Sequence, residues 1–427
     1  MAEKEEKITT DYFIGVLYSC RHNTRFPILI SHKLGHGMFR SSPYGWTSQY
    51  LLGFFFNYGV YLPFWALWLA HLGVSASHIG LLLGLGFGVR CLANLLITPR
   101  IHKVEHLIPA LRIFGVAALV SCIAYIFCGS NVWVLAAITV LYNMMMGPIV
   151  PLSDSLTNYY AKEGHLDYGR TRLWGSIAFI AGSTVVGLLA AAFDPSVIPW
   201  VAVVGLVAML LFTLRAPTVT PVSEPDSHAQ GRPALLQMLR TPAVLRFLTI
   251  IALLQGSHAA YYSFSAIYWK GAGYSEDVIG YLWSFSVVAE VAVFALSQRL
   301  FAGWSVMAMF RLAAVGVMIR WGVTASMTEL PVLFAAQALH GVTFAAAHLA
   351  TIRYIQQAQS NQMVVLQALY NALPMGAFMA LMTALSGWLY GMWGGDVFWL
   401  MAVMGVPALF MHIESRPVTK NVATPQG

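Results

Sequence analysis

The chain has 427 residues, of which 58% are hydrophobic and 10% charged, with a formal net charge of +7. A soluble domain carries about 25% charged residues, so this composition excludes a water-soluble globular protein and makes a lipid bilayer the main partner. Apolar stretches of about 20 residues, the length that crosses roughly 30 Å of hydrocarbon, recur too uniformly for barrel strands, so helices must satisfy the backbone.

Residues 1–45 begin with the charged run MAEKEEK, and their one apolar stretch, 11–19, is too short to span. They are expected to form a cytoplasmic extension without fixed structure or function. Met38 stands as an alternative start, and no cleavable signal pattern opens the chain. Spans are then predicted near 47–70, 76–98, 106–128, 131–157, 171–192, 196–214, 243–269, 276–300, 304–325, 330–357, 363–390 and 394–413. Between the sixth and seventh lies a polar break, 215–242, containing Pro217, Pro221, Pro225, Gly231 and Pro233, which reads as a cytoplasmic linker. It separates an N-terminal six-helix bundle (46–214) from a C-terminal one (243–413), with a cytoplasmic tail at 414–427.

The fold class is therefore an all-α membrane protein of twelve transmembrane helices in two pseudo-symmetric bundles. The symmetry is readable at the first turn of each half. WLAHLGVSASHIG from Trp68 aligns without a gap on YWKGAGYSEDVIG from Tyr268, matching Gly73 with Gly273, Ser75 with Ser275 and Gly80 with Gly280. Lys/Arg asymmetry sets the orientation. Arg100, Lys103, Lys162, Arg170, Arg215, Arg240 and Arg299 fall on one face and only Lys270 on the other, so both termini are expected in the cytoplasm. The basic residues thereby belong to loops, which removes nucleic acid as a partner. Cys20, Cys91, Cys122 and Cys128 have no metal-ligand spacing, and no phosphate loop, metal-ligand helix or nucleophile elbow appears. No metal, cofactor or enzymatic activity is expected.

Ionisable groups within spans cost about 2.5–3.5 kcal/mol each on insertion scales, so each needs a reason. Asp154, late in span 4, and Arg172, opening span 5, can meet across a short loop, which lowers the burial cost of both; interfacial charges at the membrane border are the alternative. Arg320 in span 9 and His340 in span 10 form a second group. Glu290 in span 8 has no charged neighbour within a turn. A carboxylate held from water favours its neutral form, which suits a group that loads and unloads a proton; an ion pair with another span is the alternative. Arg90 occupies the matching place in span 2. Tyr58, Tyr61 and Trp65 in span 1 and His258, Tyr261 and Tyr262 in span 7 give both spans aromatic faces, suited to an apolar or aromatic ligand and equally to ordinary packing.

The phrases FFFNYGVYLPFWALWL, PLSDSLTNYYAKEGHLDYGRTRLWGSIAF, LLQGSHAAYYSFSAIYW and ALHGVTFAAAHLATIRYI together resemble the bacterial 3-phenylpropionate (hydrocinnamate) transporters. These belong to the lactose-permease-like branch of the major facilitator superfamily, and the resemblance runs over about 46–413. It implies that Asp154 and Arg172, 18 positions apart, bind substrate. It also implies that Arg320 and His340, 20 positions apart, take part in proton coupling. Thr343 stands where the permease carries a proton-transferring Glu, so Glu290 or Asp154 is expected to take that role with His340 assisting.

The expected function is import of a small aromatic acid by proton symport with alternating access in a bacterial inner membrane, by a monomer. Arg172 or Arg90 would hold the carboxylate, and aromatic faces the ring. A sugar or nucleoside symporter, or a non-transporting membrane sensor, are the alternatives.

Overall fold

A computed structural model describes residues 40–101, 103–222 and 238–413. The extension up to residue 39, the middle of the linker (223–237) and the tail (414–427) lie outside the described residues.

The first half comprises α1 (Pro43–His71), α2 (Ala76–Leu96), α3 (Leu107–Ile126), α4 (Val132–Met146), α5 (Ile149–Lys162), α6 (Tyr168–Ala192) and α7 (Ile198–Thr213). The second comprises α8 (Pro242–Gly256), α9 (Ala259–Gly271), α10 (Glu276–Phe301), α11 (Val306–Ser326), α12 (Leu330–Ala338), α13 (Ala347–Gln356), α14 (Ser360–Ala372), α15 (Met379–Trp393), α16 (Val397–Val403) and α17 (Gly405–Phe410). Two π-helical stretches, Gly341–Ala346 and Leu373–Phe378, interrupt the second half.

Eleven helical stretches among the described residues are long and apolar enough to cross a membrane. The last, Gln362–Phe410, has 49 residues, at about 1.5 Å per residue the length of two crossings. It breaks at Gly394, whose φ of 55° suits glycine. Before the break α15 packs on α2, whereas past it α16 and α17 pack on α11.

Several boundaries differ from the sequence expectation. α1 starts at Pro43, because Ser42 in extended conformation accepts from the Gly45 N–H at 3.1 Å and proline suits the first turn. Residues 40–41, expected within an unstructured extension, pair in parallel with Ala216–Pro217 of the linker. Arg112 of α3 reinforces that junction: its guanidinium donates to the carbonyls of Thr213 and Arg215 at the C-terminus of α7, where a cation is favourable. α6 starts at Tyr168, capped by Asp167, so Arg172 lies beyond its first turn.

The internal repeat is present in the backbone. Gly73 and Gly273 both take left-handed φ, 81° and 95°, and Ser75 and Ser275 both stand in extended conformation at the N-caps of α2 and α10. The halves meet mainly where α2 packs on α15, α10 on α6 and α9 on α1. Two of these crossings repeat at one offset. A Cβ on Gly80 would lie 2.5 Å from Gly387 Cα, and one on Gly387 would lie 2.7 Å from the Ala76 carbonyl. Two hundred positions away in each helix, a Cβ on Gly280 would lie 2.5 Å from the Ser183 carbonyl, and one on Gly187 would lie 2.6 Å from the Glu276 carbonyl. Backbones this close admit only hydrogen as a side chain.

Candidate functional site

Beyond these crossings the halves diverge around a cavity of about 320 Å³. On α6 its walls run from Gly169 to Phe179, before the crossing at Ser183; on α10 they run from Trp283 to Ala295, after the crossing at Gly280. The cavity is therefore sealed at the end bearing the 72–75 and 272–275 turns and extends to the first turn of α6.

Eight of its lining residues are Phe, Tyr or Trp. Phe55 and Tyr58 come from α1, Phe87 from α2, Phe179 from α6, Tyr262 from α9 and Trp283 from α10, with Phe344, Met375 and Met379 contributed by or next to the π-helical stretches. π turns widen a helix locally and recur at functional sites. The charged lining residues are Arg172 from the first half and Glu290 from the second, with His340 beside Glu290.

Arg172 Nη1 stands 3.4 Å from Asp154 Oδ1. Neither atom has a hydrogen-bond partner, so the two attract through charge without an aligned bond. The guanidinium also lies 4.9 Å above the Phe55 ring. Asp154 itself is not in the cavity wall.

Glu290 Oε2 is 3.4 Å from His340 Nε2. On the other side of that ring, Arg320 Nη1 donates to Nδ1 at 2.8 Å. A guanidinium has no acceptor, so Nδ1 holds the lone pair and Nε2 carries the hydrogen that faces Glu290. Arg320 is fully buried. It donates further to Thr343 Oγ1 (3.0 Å) and Gln337 Oε1 (2.9 Å), and lies over Tyr261 and Trp321. Thr343 is also 3.2 Å from His258 Nε2, while His258 Nδ1 is 3.1 Å from the Leu254 carbonyl. A carbonyl only accepts, so His258 donates through Nδ1, and Thr343 passes its hydroxyl hydrogen to Nε2. The chain Arg320–Thr343–His258–Leu254 runs in one direction.

The structure thus brings together Arg172, Glu290, His340, Tyr58 and Tyr262 in one cavity, with Asp154 and Arg320 directly behind it. It places three expected contacts elsewhere. Trp65 is buried within the first half, with Tyr61, Trp68 and Tyr125 each 4.8 Å away centroid to centroid. Tyr261 stacks behind Trp283 at 4.3 Å and donates to Ser286. His258 is sealed in the hydrogen-bond chain. Tyr61 and Arg90 line a separate side pocket of about 10 Å³ with Asn143 and Leu83. Asn143 and Gln337 are organisers that the sequence reading misses, although an amide inside the apolar run VLYNMMMG is a usable signal; Thr343 enters that reading only as a departure from the resemblance.

Residues 45–401 match the family described as MFS_1 like. The chain belongs to that family of major facilitator transporters. It is 43% identical over 373 residues to a probable 3-phenylpropionic acid transporter of Escherichia coli (strain K12), covering 87% of this chain and 98% of that one. Among solved structures it is similar to the nucleoside transporter NupG, with a TM-score of 0.71, 15% identity and coverage of 87% of this chain and 98% of that one. It is also similar to an autoinhibited POT family peptide transporter, with a TM-score of 0.62, 12% identity and coverage of 89% and 99%. At such identities these two establish the fold alone. This major facilitator protein is a multi-pass membrane transporter of a small molecule, not an enzyme.

Proposed function

We propose that this transporter imports a small aromatic carboxylic acid such as 3-phenylpropionate, by proton symport with alternating access. The observation that carries the reading is one cavity between the halves, walled by aromatic rings, with Arg172 on one side and Glu290 on the other. The ring of the acid would lie among Tyr58, Tyr262 and Trp283, where apolar burial and ring geometry both favour it. Its carboxylate would be drawn to Arg172 by charge-assisted hydrogen bonds, in competition with Asp154.

Proton uptake is assigned to Glu290. When it is ionised, the His340 Nε2–H faces a negative charge; when it is protonated, that attraction is lost and the His340–Arg320 group is freed from it. A proton and a substrate can bias the two end states only by as much as their binding differs between them, and a carboxyl shared between a histidine and the substrate cavity offers such a difference. Asp154 is the second candidate for the proton, because its loose pairing with Arg172 can be broken by protonation. Following the Lys/Arg asymmetry, both ends of the chain are assigned to the cytoplasm of a bacterium with the protein in its inner membrane. The cavity then faces inward, and a monomer contains the whole site.

Equilibrium binding of labelled 3-phenylpropionate to the purified protein, competed with unlabelled sugars, nucleosides and aromatic acids, tests the reading. Displacement by aromatic acids alone is expected. Displacement by a sugar or nucleoside at lower concentration than any acid would replace the proposed substrate class.

A further inference from the structure

Charge bookkeeping around the cavity leaves one cation over. Arg172 has Asp154, and Arg320 and Glu290 share His340. Arg90, in α2, has no acidic partner among the described residues. Its Nε donates to Asn143 Oδ1 at 2.7 Å, and its guanidinium lies against Tyr58 and Tyr61 at 5.3 and 5.2 Å. Asn143 is held in that orientation because its amide donates to the Thr139 carbonyl at 2.9 Å and to Tyr61 at 3.3 Å. Arg90 Nη2 is buried and makes no hydrogen bond.

Arg90 is half-buried, and a cation with only neutral partners and one buried, unpartnered nitrogen is costly, more so within a bilayer. The cost falls if an anion completes the site. The side pocket that Arg90 lines with Tyr61 and Asn143 shares Leu62, Phe87 and Tyr262 with the main cavity. It has room for about one water-sized group, so a ligand would reach it as a head group, with its body left in the main cavity.

We infer that Arg90, Asn143 and Tyr61 form a carboxylate station beside the main cavity, and that the transported species is a monoanion whose single charge neutralises Arg90. The inference rests on the aromatic-acid reading above and deepens it. Arg90 holds the anion where the ring meets Phe87 and Tyr262; Arg172, nearer the open end, meets it on its way to the cytoplasm. Arg90 and Glu290 stand at equivalent places in the two halves, 200 positions apart. The anion and the proton would thus be taken by symmetry-related positions.

The test compares the unmodified protein with Arg90→Gln and Arg90→Lys, measuring binding of 3-phenylpropionate and of its uncharged analogue 3-phenylpropanol. A charge-assisted bond to Arg90 predicts that Arg90→Gln weakens acid binding about ten- to a hundredfold and leaves alcohol binding near its original value, with Arg90→Lys in between for the acid. Unchanged acid binding in Arg90→Gln overturns the station. Equal loss of acid and alcohol in both variants would show that Arg90 only packs the first half, and overturns it too. Failure of the unmodified protein to bind the acid at all would instead overturn the aromatic-acid reading beneath it.

Discussion

Gly80 and Gly387 cross so closely that a Cβ on one would stand 2.5 Å from the Cα of the other. The pair Gly187 and Gly280, at the same offset in the opposite helices, makes the matching crossing. Together they close one end of the cavity with backbone against backbone, and hydrogen bonds linking Ser284 to Ser183 and Thr184, both 2.9 Å, join the second crossing and must break for the halves to part there. A transporter that alternates must open this end. Gly80→Trp and Gly280→Trp should each forbid the closed contact and so hold the protein open on that side. Uptake by proteoliposomes is expected to fall at least tenfold while acid binding by the purified protein is retained. Normal uptake by either variant would mean that the crossings do not gate the cavity.

Arg172 is tethered to Asp154 by charge alone, so a substrate carboxylate can displace that partner without breaking an aligned hydrogen bond. Arg172→Ala should reduce uptake of labelled 3-phenylpropionate by at least tenfold, with the protein still present in the membrane by immunoblot. Wild-type uptake would remove Arg172 from the site.

Glu290 faces a histidine whose other nitrogen is occupied by Arg320. Glu290→Gln keeps the shape of the side chain and removes its proton chemistry. Accumulation driven by a pH gradient should be lost, whereas exchange of external for internal acid, which needs no net proton movement, should continue. Accumulation that survives intact would transfer the proton role to another group, with Asp154 next in order.

Thr343 both accepts from Arg320 and donates to His258. Thr343→Val is nearly isosteric and leaves His258 Nε2 without a donor. The expected cost is about 1–3 kcal/mol, read as a lower unfolding temperature in detergent. An unchanged unfolding temperature would show that the chain of hydrogen bonds contributes nothing to stability.

Much of this was legible in the sequence, and the failures have physical causes. The turn residues Gly73, Ser75, Gly273 and Ser275 revealed the repeat because backbone conformation constrains them wherever they occur. Charges such as Arg172 and Glu290 stood out because lipid makes them expensive. Trp65 and Tyr261 did not declare which way they faced, since a helix apolar on all sides has no polar face to orient it. Asn143 and Gln337 escape a sequence reading because uncharged amides are cheap enough in a helix to pass as ordinary packing, and Thr343 is marked only by the resemblance, as a departure. Their importance comes from meeting Arg90 and Arg320, a contact between distant segments.

Concentrative uptake into proteoliposomes decides the central claim most directly. Purified protein is reconstituted, an inward proton gradient is imposed, and labelled 3-phenylpropionate is followed with and without a protonophore. The account predicts accumulation above the external concentration that collapses when the protonophore is added. Uptake that ignores the gradient, or none above protein-free vesicles corrected for passive entry of the neutral acid, would contradict it.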